Sequence, residues 1–441
     1  MGGKGKEMSM EYSVAYDHEP DTGVPDAAYS GLSGNMLVTF PNQEMYRAST
    51  AAEGPPLPIN QYVEEADLFT VAAPITDHEQ EQFERWAGKL VTVYGATVRP
   101  ERQFYPDDRP GSWIPDLDPE QYAHERLEEA QASLADVVRA IGADRAHRRT
   151  RGKGAIIAVI DTGIHGSRAV EFPDGRRHSG MSFSPSPVMQ DPWDDDEGHG
   201  TMCAAIAAAS PSQDLPLGGI APEAGLISCR TSFREAETMG IFSRLSAMAR
   251  EGRRIVASCS FGFRTGTPPI DPGEVGFERE LTKAIDNGVV VCFSAGNYHQ
   301  LAGGGPYNCD PNSIWLHKSR SDLLTVATCD LDQAMWWYSS RGPGQRYSDG
   351  DPIKPDVTAP TPAHGSILYG DRMKVLPDGW GTSGACPQVA GLAALMLSIN
   401  PNLSQAEIQY RILQAARPIS SYGPYCQGAG VIDCAAVVEG V

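Results

Sequence analysis

Through the first hundred residues, apolar positions come in short runs separated by polar and Pro-containing stretches. Residues 1–34 are rich in Gly, Pro and charge without periodicity, which predicts a disordered tail. Met36 to Phe40 reads as a strand, a Pro-containing connector follows, and Leu68 to Val71 reads as a second strand. Thr76 and Glu79 form a capping box ahead of a helix that places Phe83, Trp86, Ala87 and Leu90 near one face, and Val91 to Tyr94 reads as the next strand. The pattern predicts a small α+β unit over residues 35–105 and a linker at 106–118, rich in Pro and Asp around Trp113.

From residue 119 the rhythm changes. A charged helix is expected from Asp118-Pro119, and Ser133 with Asp136 caps a second piece carrying Leu134, Val137, Val138 and Ile141. Apolar strands at 155–160, 226–228, 255–257, 289–293 and 324–327 then alternate with helical stretches at 201–209, 242–250 and 277–287, and Ser404 with Glu407 opens a late helix. Continuous apolar strands separated by amphipathic helices predict an α/β fold, a parallel sheet covered by helices on both faces, over residues 119–441. In such sheets ligands lie beyond the carboxyl ends of the strands, where Asp161 and Asn297 fall.

Candidate chemistry gathers at three short motifs. Gly381-Thr382-Ser383-Gly384 delivers a serine to the start of a helical run in which Leu392, Leu395, Met396 and Ile399 share a face, and the unpaired amides of a helix start favour negative charge. Asp161 ends an apolar strand and is followed by Thr162-Gly163; His199 stands between two glycines ahead of a small-residue helix. A serine hydroxyl needs a base to become a nucleophile, an imidazole is suited to that task, and a carboxylate can orient the imidazole.

Ala158-Val159-Ile160-Asp161-Thr162-Gly163, Gly198-His199-Gly200-Thr201, Phe293-Ser294-Ala295-Gly296-Asn297 and the run from Gly381 to Gly391 resemble the subtilisin-like serine proteases, whose triad runs Asp, His, Ser. The resemblance implies an endopeptidase with Asp161, His199 and Ser383 as triad and Asn297 as oxyanion donor. It implies that the strand edge Ser258, Cys259, Ser260, Phe261 and Gly262, with Ala295 and Gly296, binds an extended peptide. It also implies that the 35–105 unit is a propeptide-like folding helper and inhibitor, against which stands a docking module with no inhibitory role. Gly384, Gln388 and Thr361-Pro362 depart from the family pattern, which usually has Met after the serine, His after the proline and a glycine after Pro360.

Composition narrows partners. A formal charge of −20 argues against nucleic acid; attraction of cationic partners or substrates is weighed against simple solubility, and solubility is preferred. No span of about 18 apolar residues is evident and the N-terminus lacks a signal core, so a soluble cytoplasmic protein is expected, with leaderless export as the alternative. Nine cysteines, several in apolar runs, predict buried free thiols with no disulfide needed; Cys426 and Cys434 are the pair that could bond. No cofactor is expected and no metal ligand is assigned. Calcium at Asp194-Asp195-Asp196-Glu197 is weighed against a solvated loop or a patch that attracts basic substrate side chains, and either of these is preferred to calcium. The reading is an active endopeptidase that processes a protein or peptide precursor, against a silent binding or scaffold protein of the same fold.

Overall fold

The computed structural model describes residues 34–53, 59–60, 70–75, 80–100, 104–106, 132–184, 186–262, 276–305, 307–345, 353–361, 366–375 and 379–441. The predicted tail, the Thr76–Glu79 box, residues 107–118 and the helix start at Asp118 lie outside them.

The N-terminal unit is built from β1 (Gly34–Thr39), α1 (Gln43–Glu53), β2 (Ile59–Asn60), β3 (Thr70–Ile75), α2 (Gln80–Tyr94) and β4 (Thr97–Pro100), with antiparallel sheet order β2-β3-β1-β4. Alternation along β1 decides its two faces. Met36 and Val38 bury against the α2 residues Phe83, Ala87 and Leu90, while Leu37 joins the apolar cluster of the large domain. Two expectations fail here. The Pro-containing connector holds α1, and Val91 to Tyr94 close α2 instead of forming a strand. Three β-branched residues and a tyrosine mimic a strand, but they continue the helix and β4 starts only after the turn at Gly95.

After β5 (Tyr105–Pro106), short helices α3 (Leu134–Ala140) and α4 (Ala143–Ala146) lead into the large sheet, and the Ser133–Asp136 capping box is formed. The sheet comprises β6 (Ile156–Asp161), β7 (Met181–Ser182), β8 (Gly225–Arg230), β9 (Ile255–Cys259), β11 (Val290–Ser294), β12 (Leu324–Cys329) and β13 (Val357–Pro360); its order is β13-β12-β11-β9-β6-β8-β7, and every pairing is parallel. A two-residue strand β10 (Phe261–Gly262) leaves the sheet after β9 and pairs with β5. Helix α5 (His199–Ala208) lies on one face, and α6 (Glu235–Arg250) with α7 (Gly276–Asp286) on the other. A hairpin β14 (Ser366–Tyr369) and β15 (Arg372–Val375) precedes α8 (Cys386–Ile399), which shares the α5 face, and α9 (Gln405–Ala415), α10 (Pro424–Gln427) and α11 (Cys434–Glu439) complete that layer. The stretch Thr382–Ile399 has the length and hydropathy of a membrane span, yet 89% of it is buried, so its apolarity serves the core.

The cysteines divide. Seven are free and buried, but Cys309 and Cys426 form a disulfide, so the partner of Cys426 is Cys309 and not Cys434, which stays a thiol. The two partners lie 117 residues apart, a pairing with no local signature.

Candidate active site

Asp161 is the last residue of β6 and His199 the first of α5, so a sheet end and a helix start meet at the site. Both are buried, and the Asp161 carboxylate oxygen Oδ1 accepts from His199 Nδ1 at 2.7 Å and from the Thr162 amide at 2.8 Å. This bond fixes the proton on Nδ1 and leaves Nε2 as the basic nitrogen; Nε2 is buried and makes no hydrogen bond among the described residues. Burial alone would drive the imidazole down, but the Asp161 carboxylate outweighs it and holds His199 well above the ordinary histidine range.

Two glycines permit this approach. A Cβ on Gly200 would collide with the Gly163 carbonyl, and Gly163, at φ +118°, has the Asp194 carbonyl where its own Cβ would stand. Gly198 has the Tyr369 ring of the hairpin in the corresponding place.

Ser383 lies in a one-turn 3₁₀ segment, Thr382–Gly384, that runs into α8. Its carbonyl accepts from Cys203 Sγ at 3.7 Å and from Ser260 Oγ at 3.5 Å. Cys203, one turn along α5, also lies 3.9 Å from His199 Nδ1, so serine backbone and imidazole flank the same thiol. Asn297, after β11, is turned by Thr382: its Oδ1 accepts from the Thr382 amide at 3.0 Å and hydroxyl at 3.1 Å, and the Gly296 amide donates to that hydroxyl at 3.1 Å. With the carbonyl end held, the amide nitrogen is the end aimed away from Thr382.

The expected substrate edge is only half as drawn. Ser258 and Cys259 belong to β9, which runs between β6 and β11 in mid-sheet, so neither lies on an edge; Ser258 Oγ instead approaches Cys386 Sγ at 4.0 Å. Their apolar surroundings and the neighbouring Phe261 read alike in sequence, but the edge starts only beyond Ser260. Phe261 and Gly262 pair antiparallel with Pro106 and Tyr105, so the end of the N-terminal unit already runs as an added strand there.

Beside Ala295 lies a shallow cleft with room for about one water, lined by Ala295, Tyr298, Ser313, Trp315 and Lys318. The Tyr298 and Trp315 rings stack at 5.8 Å between centroids and fill one side. No pattern in the sequence brings Ser313, Trp315 and Lys318 to this place. The Gly303-Gly304-Gly305 segment folds over His299, whose Nε2 meets the Gly305 carbonyl at 3.0 Å, and burial with Arg341 nearby pushes that imidazole down to about 4.

The acidic run is no uniform solvated loop. Arg230, buried, reaches the carboxylates of Asp194 and Asp196, while Asp195 turns inward and is buried itself. Asp195 lies three residues before an amide it caps, Gly198, a spacing that could have marked it in the sequence. Asp161, His199 and Cys203 bring ligand atoms within 4.8 Å of one another. His199 Nδ1 is already engaged, and burial pushes the Cys203 thiol up to about 11, so this cluster reads as a hydrogen-bonded pair with a neutral thiol beneath it.

The subtilase family profile matches residues 152–430, which is more than half of the chain. The chain belongs to the subtilase family. This subtilase is 27% identical over 291 residues to the thermostable alkaline protease of Halalkalibacterium halodurans, covering 65% of this chain and 69% of the relative. It is 28% identical over 342 residues to mycosin-1 of Mycobacterium tuberculosis, covering 68% and 71%. Subtilisin E of Bacillus subtilis is 27% identical over 290 residues, covering 65% and 66%. Among solved structures, fervidolysin from Fervidobacterium pennivorans superposes with TM-score 0.60 at 18% identity, over 93% of this chain and 61% of that one. MycP1 with its N-terminal propeptide removed superposes with TM-score 0.53 at 24% identity, over 68% and 96%. This subtilase is a serine-type endopeptidase with the α/β subtilisin-like fold.

Proposed function

We propose that Ser383 is the nucleophile, His199 its base, Asp161 the residue that orients and stabilises the imidazolium, and Asn297 with the Ser383 amide the oxyanion donors. The observation that carries this reading is the 2.7 Å bond from His199 Nδ1 to Asp161, which leaves Nε2 as the proton acceptor. In the acylation step Ser383 Oγ attacks the peptide carbonyl carbon while its proton passes to Nε2. The carbonyl oxygen becomes negative between Asn297 and the serine amide, and His199 then returns the proton to the departing amine. Water repeats the sequence on the acyl-enzyme.

The uncut chain holds itself back in this reading. Residues 105–106 occupy the Phe261–Gly262 edge that an extended substrate would need, and Phe104 anchors them, buried among Phe261, Phe277 and His317 with its amide donating to the Phe233 carbonyl at 2.8 Å. Arg99 adds a two-bond ion pair to Glu235 at 2.8 and 2.7 Å, at the start of α6. Strand addition and an anchored phenylalanine support an intramolecular inhibitor over a mere docking module. The Cys309–Cys426 bond supports the exported alternative over the cytoplasm, because disulfides persist in oxidising compartments.

Replacing Asn297 with Leu tests the site. Turnover per folded molecule should fall by roughly 10² to 10³ with KM little changed, a magnitude carried over from subtilisin itself. An unchanged turnover with lowered stability would make Asn297 a structural residue.

A further inference from the structure

We propose that Asp195 is a positioning residue for the Asp161–His199 pair, a buried carboxylate that clamps the turn after β6 to the start of α5. The inference rests on the peptidase reading above and adds a residue that the triad does not contain. Asp195 Oδ1 accepts from the Thr162 hydroxyl at 2.8 Å and from the Gly198 amide at 2.7 Å. Its Oδ2 accepts from the Thr201 amide at 2.8 Å and from the Thr201 hydroxyl. Thr162 adjoins Asp161, and Gly198 and Thr201 bracket His199, so one side chain ties both halves of the pair together.

The threonines extend the clamp. Thr162 Oγ1 accepts from the Gly200 amide at 2.8 Å, and Thr201 Oγ1 accepts from the His165 amide at 2.9 Å. Each hydroxyl therefore donates to Asp195 and accepts from the other element's backbone. All four donors point at one carboxylate that is 2% exposed, where an unsatisfied group is costly. The anion also stands before the first turn of a ten-residue helix, where the peptide dipoles favour it.

An amide cannot replace this carboxylate. Whichever way an asparagine is turned, its NH2 faces the Gly198 or the Thr201 backbone N–H, donor against donor, and that backbone must move. Gly198 and Thr201 would carry His199 with them. Displacement of the base by a fraction of an ångström costs turnover more than substrate affinity.

The test is Asp195→Asn in the full-length protein, with Asp196→Asn as the control in the same acidic run. Asp195→Asn should lower kcat by about 10²-fold and leave KM within about twofold. In Ser383→Ala protein, the far-downfield proton resonance of His199 Nδ1–H should shift, broaden or vanish on adding Asp195→Asn. Asp196→Asn should leave both unchanged. If Asp195→Asn does not fold, Thr162→Val decides, since it removes one hydroxyl that bridges Asp195 to Gly200: a smaller kcat loss with a displaced resonance supports the clamp. Normal kcat and an unmoved resonance, in Asp195→Asn or in its Thr162→Val substitute, would overturn it. An inactive wild-type protein that shows the resonance changes would instead count against the peptidase reading alone.

Discussion

The Thr361 hydroxyl occupies the space in which a Cβ on Gly384 would stand, and the Trp380 Cβ lies 2.9 Å from the same point. The departures from the family pattern around Ser383 are therefore one packing solution: a side chain at 361 is matched by the lack of one at 384. Gln388 completes it, since its Nε2 donates to the Pro360 carbonyl at 2.6 Å and to the Gly384 carbonyl at 2.7 Å, tying the strand end to the serine turn.

Gly384→Ala should consequently destabilise the protein and lower turnover, and Thr361→Gly should relieve part of that loss. A double-mutant cycle on unfolding free energy should give a favourable coupling of roughly 0.5 to 3 kcal/mol. Simple additivity would show that the two positions do not share this space.

The Asp161 carboxylate sets the pH dependence. As the proposed base His199 must be neutral to accept the serine proton, and it is held above 6.5, so kcat/KM of the activated enzyme should rise with pH through an apparent value above 6.5. Asp161→Asn should move that limb down and cut turnover sharply. Stability runs the other way. A folded-state value above the unfolded one means that His199 contributes stability fully below about 6.5, and that this is lost as pH rises through the folded value. The melting-temperature difference between Ser383→Ala and Ser383→Ala/His199→Gln should shrink as pH rises over that window.

Closing a loop of 117 residues restricts the unfolded chain, so reduction of Cys309–Cys426 should cost about 2 to 4 kcal/mol and lower the melting temperature. Calorimetry with and without dithiothreitol checks this, with Cys309→Ser/Cys426→Ser as the matched variant. The buried thiols Cys229, Cys259 and Cys292 should resist alkylation until the protein unfolds.

Loosening the N-terminal unit should release activity. Phe104→Ala removes a side chain packed among three aromatic groups, a loss of about 3 to 5 kcal/mol for a buried phenylalanine, borne by the contact between the two parts of the chain. Turnover of a small peptide by freshly purified, uncut Phe104→Ala should exceed that of the uncut wild type. Equal rates would leave Phe104–Pro106 as a docking segment only.

What the sequence made legible was what is local. The strand before Asp161, the helix after His199, the capping boxes at Ser133 and Ser404 and the apolar face behind Ser383 each sit within a few residues of their cause, and the structure contains them. Helix α1 was hidden because its residues carry a weak apolar face, and the end of α2 because Val91 and Val93 favour either backbone state. Contacts across the fold left no trace in the chain's order. Cys309 with Cys426, Thr361 with Gly384, Trp315 with Tyr298, and Asp195 with Thr162 are each brought together by topology, and a single chain does not display such pairs.

The most direct test of the account is covalent. Incubated with a fluorophosphonate after activation, the protein should take up one equivalent of label, and peptide mapping should place it on Ser383. Ser383→Ala, folded by circular dichroism and melting temperature, should take up none and hydrolyse no peptide. Label on another serine, or undiminished labelling of Ser383→Ala, would contradict the assignment of the nucleophile and with it the reading of the Asp161–His199 pair as its activating base.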